Sequence, residues 1–111
     1  MDSQKVIYFI SILVCAGAFF AFAIYAFLSK KPINFWAGEK IPSDLVTDVK
    51  KYNRANGTMW LIYAICWLIA AVIGLFSIEI SAGITLVLCA GIIILIIVNN
   101  SIRKKYFKLQ N

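Results

Sequence analysis

The hydrophobic residues of this chain are gathered into two long blocks. Val6 to Leu28 contains no charged residue and is interrupted only by Ser11. Met59 to Val98 contains a single charged residue, Glu79. A helix rises about 1.5 Å per residue and the hydrocarbon layer of a membrane is about 30 Å thick, so about 20 apolar residues make one crossing. The first block is therefore long enough for one crossing and the second for two.

Glu79 marks the place where the second block turns, because a carboxylate is costly at the bilayer centre and cheap at the headgroup level. We therefore expect spans at about residues 6–28, 59–76 and 80–98, the last two joined as a tight helical hairpin. Asn99-Asn100-Ser101 is expected to end the third span. A central loop, 29–58, and a basic tail, 99–111, complete a single membrane domain, 1–111.

The central loop has a helical pattern of its own. Apolar side chains recur at helical spacing at Leu45, Val46, Val49 and Tyr52. Charged side chains fill positions between them at Asp44, Asp48, Lys51 and Arg54. Ser43 or Thr47 is expected to cap this helix, and Gly57 to end it in a left-handed conformation. The predicted fold is an all-α membrane protein with three transmembrane helices and a short amphipathic cytoplasmic interfacial helix between spans 1 and 2.

Composition and charge agree with a membrane location. Hydrophobic residues make up 62% of the 111 residues, more than a soluble domain of this length hides in its core. Of the 11 lysines and arginines, all but Lys5 lie in the central loop and the tail, which share one side of a three-span protein. Because basic residues favour the cytoplasmic side, we expect a multi-pass protein of the cell membrane with its N-terminus outside and its C-terminus in the cytoplasm. The basic residues flank apolar runs without interleaved stacking aromatics, so no nucleic-acid partner is expected.

The spans themselves offer little chemistry. No carboxylate or lysine lies away from their ends, which argues against a proton-coupled pump. Three cysteines, one in each span, are interpreted as small buried hydrophobic residues: Cys15, Cys66 and Cys89. Small residues four positions apart predict helix-packing faces, within one chain or in a homo-oligomer, at Gly17 with Ala21 and at Ala70 with Gly74.

The central loop also contains amides and glycines that a simple connector does not need. Amides at the mouth of a helix bundle are costly to bury unless they find a hydrogen-bond partner. The candidate partner-binding residues are Asn34, Trp36, Gly38, Asp48, Tyr52, Asn53, Arg54 and Gly57. No catalytic, cofactor-binding or metal-binding residue is assigned. The alternative is a loop that only connects two spans and whose charges face water.

Two segments of the loop resemble an uncharacterised family of small three-span bacterial membrane proteins: Phe35-Trp36-Ala37-Gly38 and the stretch from Val46 to Gly57. More remotely, the loop is similar to the family of the immunity protein against a sporulation-delaying killing peptide. That family has an asparagine and a glycine before a short helix that ends in Asn-x-x-x-Gly. In this chain the corresponding residues are Asn34, Gly38, Asn53 and Gly57.

This resemblance implies a protein that acts by binding, either in immunity to a membrane-active peptide or in membrane sequestration of a cytoplasmic regulator. The expected partners are the lipid bilayer and a peptide or protein at the cytoplasmic loop. The chain departs from the immunity family at Glu39-Lys40, where an arginine-threonine pair often follows the glycine.

Two other functions stay open at this point. One is a small oligomeric transporter or an accessory subunit of a membrane complex, although four-span multidrug exporters carry a glutamate in their first span that this chain lacks. The other is a lipid-modifying enzyme that uses Glu39, Asp44 or Asp48, although the clustered carboxylates such an enzyme needs are missing. We therefore expect no enzymatic activity and no cofactor.

Overall fold

The structure is a computed structural model that describes residues 3–33 and 41–107. Four α-helices follow one another: α1 is Ser3–Leu28, α2 is Val49–Gly74, α3 is Ile78–Ala90 and α4 is Ile92–Tyr106. A short 3-10 helix, Ser43–Leu45, precedes α2. The described residues contain no strand, and their β-type pairing is an isolated bridge between Val46 and Phe107. The prediction of an all-helical fold is confirmed.

Three helical stretches are long and apolar enough to cross a membrane, and each overlaps one predicted span. They are α1, α2 and the stretch Ile78–Tyr106, which α3 and α4 form together. The turn between α2 and α3 lies at Leu75 to Ser77, next to Glu79. The Ser77 hydroxyl oxygen caps α3 by accepting a hydrogen bond from the Ile80 N–H at 3.3 Å. Three apolar helices, the last two joined by a tight turn, are therefore confirmed.

The region of the predicted interfacial helix is built differently. Residues 49–57 are the first turns of α2, which continues to Gly74. Asp48 caps its start, since its Oδ1 accepts a hydrogen bond from the Lys51 N–H at 3.0 Å, so the expected cap at Ser43 or Thr47 is wrong. Gly57 lies inside α2 without a left-handed backbone, so the expected stop is also wrong. The buried polar side chains of this stretch form hydrogen bonds within the chain, and the helix continues through it.

Helix α2 is the central element of the bundle. In its most apolar stretch 50% of the residues are buried, against 11% in each of the other two spans. Helix α1 packs along α2 through three almost fully buried alanines: Ala16, Ala23 and Ala26. The small pair Ala70 and Gly74 is buried on α2, as expected of a packing face, whereas Gly17 and Ala21 are exposed.

Aromatic rings fill the middle of the contact between α1 and α2. Phe19 of α1 stacks on Trp60, with ring centroids 5.7 Å apart and planes 10° apart. The same ring meets Tyr63 edge-on at 4.8 Å and Trp67 at 5.6 Å. Such pairs contribute beyond the apolar area they bury, so Phe19 is the main anchor of α1 on α2.

The third span is interrupted near its middle, at Gly91 between α3 and α4. The Gly91 N–H donates to the Val87 carbonyl at 2.8 Å, and the Tyr63 hydroxyl of α2 donates to the Leu88 carbonyl at 2.6 Å. A Cβ atom on Gly91 would lie 3.0 Å from the Leu88 carbonyl oxygen. Because an apolar layer supplies no water, a carbonyl at an interrupted helix needs a protein donor, and Tyr63 provides it.

Large apolar side chains cover the outward faces of the helices, as expected of surfaces in contact with lipid: examples are Ile7, Val14, Leu28, Phe76, Leu86 and Ile93. Cys15 and Cys89 are exposed on these faces and Cys66 is half-buried, so within the chain itself the expected burial is not found at Cys15 and Cys89. In the described ranges, no three histidine, cysteine or acidic side chains lie together in a way that could hold a metal ion.

Candidate functional site

The candidate residues lie at the connector end, which we define as the end of the bundle where α1 ends, α2 begins and α4 ends. The opposite end, where α1 begins and α2 turns into α3, is the hairpin end. The first turns of α2 carry most of the described candidates to the connector end: Asp48, Tyr52, Asn53, Arg54 and Gly57. Asn34, Trp36 and Gly38 lie outside the described residues.

Asn53 holds the segment that leaves α1. Its side chain is 2% exposed, and its Oδ1 accepts a hydrogen bond from the Ile33 N–H at 2.9 Å. Its Nδ2 donates to the Lys31 carbonyl at 2.7 Å and to the Ser29 carbonyl at 3.2 Å. An amide has one acceptor and two donor hydrogens, and all three functions are used here on backbone groups. Asn53 therefore acts as a clamp that fixes residues 29–33 against α2.

Tyr52 extends this clamp and joins it to the end of α4. Its side chain is fully buried, and its hydroxyl donates to the Ile33 carbonyl at 3.2 Å. Its ring lies 5.4 Å from the ring of Phe107, just after α4. Ala26, Ile33 and Val46 complete a small apolar core around Tyr52. The connector end therefore has a core of its own, separate from the aromatic core around Phe19.

The segment before α2 is fastened to the end of α4. The Thr47 N–H donates to the Tyr106 carbonyl at 2.7 Å, and the Thr47 hydroxyl donates to the same oxygen at 2.9 Å. The bridge between Val46 and Phe107 lies beside these bonds. Because α4 continues to Tyr106, residues 99–106 of the predicted basic tail are helical.

Asn56 and Asn99 link α2 to α4 at the edge of the apolar layer. Asn99 Nδ2 donates to Asn56 Oδ1 at 2.8 Å, and Asn56 Nδ2 donates to the Tyr52 carbonyl at 3.0 Å. Asn56 is 1% exposed and Asn99 is 3% exposed. Sequence reasoning missed Asn99 as a structural residue because it read Asn99-Asn100-Ser101 as a span end, whereas Asn99 is buried and Asn100 is exposed.

Gly57 of α2 lies against the ring of Phe27 of α1 at the connector end. A Cβ atom at this position would lie 3.0 Å from the ring of Phe27. The glycine therefore gives the Phe27 ring room and does not adopt a special backbone conformation.

The candidate residues divide into two groups by exposure. Tyr52, Asn53 and Gly57 are buried and in contact with residues of the same chain, so they shape the connector end from inside. Arg54 is exposed, and Asp48 is half-exposed with one carboxylate oxygen used as the α2 cap. Of the described candidates, these two charged residues have side-chain atoms at the surface.

The connector end is strongly basic. The described basic residues at this end are Lys30, Lys31, Lys50, Lys51, Arg54, Arg103, Lys104 and Lys105, and the described acidic ones are Asp44 and Asp48. The hairpin end has Lys5 and Glu79 among its described residues. A cleft of about 400 Å³ opens between the end of α1 and the start of α2. Its lining includes Lys30 and Lys50.

Comparison of this chain with models of known protein families, with curated proteins and with solved structures finds no match.

Proposed function

We propose that this chain is a small multi-pass protein of the cell membrane that acts by binding, with its connector end as the contact surface. The observation that carries the proposal is the fastening of the connector segments. The Asn53 amide holds residues 29–33, and Thr47 joins the segment before α2 to the end of α4. A tether between two spans works without such bonds, whereas a binding surface needs fixed side-chain positions because ordering them on binding costs affinity.

We propose that this surface faces the cytoplasm and that the N-terminus lies outside. The concentration of basic residues at the connector end supports this orientation, because lysine and arginine near span ends stay on the cytoplasmic side.

Cysteine labelling in intact cells tests the orientation. In a variant that lacks Cys15, Cys66 and Cys89, an impermeant maleimide should label S3C and E79C without permeabilisation. It should label D44C and K104C only after the inner membrane is opened. All four changed residues are exposed, so reagent access does not decide the result. Labelling of D44C and K104C from outside would reverse the orientation.

The partner we propose is a peptide or a protein, in immunity to a membrane-active peptide or in sequestration of a cytoplasmic regulator. The exposed charge on the first turns of α2 supports contact through Asp48 and Arg54, while the buried Tyr52 and Asn53 keep those turns in place. Contact through exposed charge depends on the sign of the charge, so reversing one side chain is a sharper test than removing it.

Complementation of a deletion strain tests this proposal. Arg54→Glu should abolish protection from a membrane-active peptide, or recruitment of a cytoplasmic partner, and should leave thermal stability in detergent unchanged because Arg54 is exposed. Lys104→Glu, the same charge reversal at an exposed α4 site of the same end, is the matched control and should retain activity. If both variants behave like the unchanged protein, the α2 surface is not the contact site.

A further inference from the structure

The cleft between the end of α1 and the start of α2 combines two kinds of lining. One wall is apolar and contains Phe27, Leu28 and Val49. Lys30 and Lys50 add two ammonium groups, and both residues are exposed. The polar side chain of Asn53 also lines the cleft, but its amide is occupied by the backbone of residues 29–33. The free polar chemistry of the cleft is therefore cationic.

The two lysines have no competing partner in the part of the chain that the structure describes. Neither ammonium group forms an ion pair or a side-chain hydrogen bond there. Asp48 is the acidic residue nearest to Lys50 in sequence, and one of its carboxylate oxygens accepts a hydrogen bond from the Lys51 N–H. Lysine heads are strongly hydrated, and an anion held between two of them gains attraction from both.

The cleft also lies at the right depth for a lipid headgroup. Lys30 follows the last residue of α1 by two positions, and Lys50 is the second residue of α2. Lys30 therefore lies where the apolar span of α1 ends, which is the level of lipid phosphates in a membrane, and Lys50 lines the same cleft. Leu28 and Phe27, the last two residues of α1, are 75% and 44% exposed and lie where the first carbons of an acyl chain would be.

We propose that this cleft binds one anionic phospholipid, with its phosphate between Lys30 and Lys50 and the upper part of an acyl chain against Phe27, Leu28 and Val49. The inference is independent of the proposed function, because it concerns the lipid and not the peptide or protein partner. Asn53 is a positioning residue for this site, since its bonds to residues 29–31 fix the segment that carries Lys30.

Native mass spectrometry of the full chain in detergent tests the proposal with three probes: phosphatidylglycerol, phosphatidylcholine and soluble glycerol phosphate. The unchanged protein should bind one phosphatidylglycerol saturably and more tightly than either other probe. The double variant K30Q/K50Q should lose affinity for phosphatidylglycerol by about tenfold or more, and K30R/K50R should restore it.

The matched control is K51Q/K104Q, which removes the same charge from two exposed lysines of the same end that do not line the cleft. It should bind phosphatidylglycerol within about twofold of the unchanged protein, because screening by salt weakens distant charges. Helix content and thermal stability should match in both double variants. An equal loss of affinity in the two pairs would overturn the site in favour of diffuse attraction. Equal affinity for phosphatidylcholine would overturn the anionic specificity, and equal affinity for glycerol phosphate would overturn the lipid as ligand.

Discussion

The two ends of α2 are held to α1 by the same packing device but by different hydrogen bonds. At each end an aromatic ring of α1 lies over a glycine of α2: Phe27 over Gly57 at the connector end, and Tyr8 over Gly74 at the hairpin end. The Tyr8 hydroxyl forms a 2.7 Å hydrogen bond with Ser81 of α3, so this ring is tied in place. Phe27 has no polar group and is 44% exposed.

The two ends differ in the hydrogen bonds that hold the connected segments in place. At the hairpin end α2 and α3 are joined by a short turn, and the Ser81 hydroxyl adds a hydrogen bond to the Ala70 carbonyl at 2.6 Å. At the connector end the chain leaves α1 and returns much later, and here the segment that follows α1 is bonded to α2 through its backbone. An amide can do this because it makes three bonds at once, whereas a hydroxyl donates only one.

The largest expected effect comes from removing the Asn53 clamp. Asn53→Ala removes three hydrogen bonds and leaves the buried Ile33 N–H without its partner. At about 1 kcal/mol for each bond, we expect the free energy of unfolding to fall by about 3 kcal/mol. Thermal unfolding in detergent, followed by circular dichroism, measures it. Asn100→Ala, at an exposed amide of α4, is the control and should be nearly neutral. Equal stability of the two variants would show that the clamp does not hold the connector.

The next effect is expected at Gly74. A Cβ atom there would lie 2.6 Å from the ring of Tyr8, and that ring is tied to Ser81 and does not move away freely. Overpacking of this kind costs about 2 kcal/mol, so Gly74→Ala should lower the free energy of unfolding by about that amount. In a double-mutant cycle, Tyr8→Ala should reduce the cost of Gly74→Ala, because the obstructing ring is gone. Additive losses in the cycle would contradict the proposed contact.

Ser81→Ala should have a smaller effect. It removes the bond to the Ala70 carbonyl and the bond to the Tyr8 hydroxyl at the hairpin end. Hydrogen bonds between membrane helices are weak on average, so a loss of about 1 kcal/mol in the free energy of unfolding is expected. Thr85→Ala on α3, whose hydroxyl bonds the nearby Ala82 carbonyl of its own helix, is the control and should cost less. A larger loss for Thr85→Ala would argue against the role assigned to Ser81.

The smallest effect is expected at Gly57. A Cβ atom would meet the Phe27 ring at 3.0 Å, but this ring is partly exposed and can turn outward. Alanine also favours a helix over glycine by up to about 1 kcal/mol, which offsets the crowding. Gly57→Ala should therefore change the free energy of unfolding by less than about 1 kcal/mol. A loss as large as that of Gly74→Ala would show that the two ends do not differ as described.

The sequence predicts the spans because a helix that crosses a membrane needs a long segment of apolar residues. Twenty apolar residues in a row have few alternatives to a membrane helix, and Glu79 could only lie near a turn. The sequence does not predict that the first turns of α2 belong to the second span. The pattern of apolar and charged residues indicates contact with water or lipid, but it does not reveal hydrogen bonds to distant parts of the chain. Asn53 bonds backbone groups 20 to 24 positions away, and Asn56 bonds Asn99, 43 positions away.

Two parts of the candidate site show the same limit. The periodicity of apolar residues places Tyr52 on the apolar face of a helix. It does not reveal that Phe107 and Ile33 contact Tyr52 there. It also gives no reason to prefer Asn99 over Asn100 as the buried amide. The exposed charge at Arg54 is more readily predicted, because its environment is water whichever way the chain is joined.

The short turn between α2 and α3 has a consequence for biosynthesis. When a helical hairpin enters a bilayer, one of its ends has to be carried through the hydrocarbon, and every charge on that end raises the barrier. The turn, Leu75 to Ser77, brings Glu79 as its nearby charged residue, whereas the open end of the same hairpin has lysines and arginines on both helices. The free-energy barrier to moving the turn through the hydrocarbon layer is therefore much lower than the barrier to moving the open end. Lysines substituted in this turn should therefore slow the insertion of this helix pair into the bilayer.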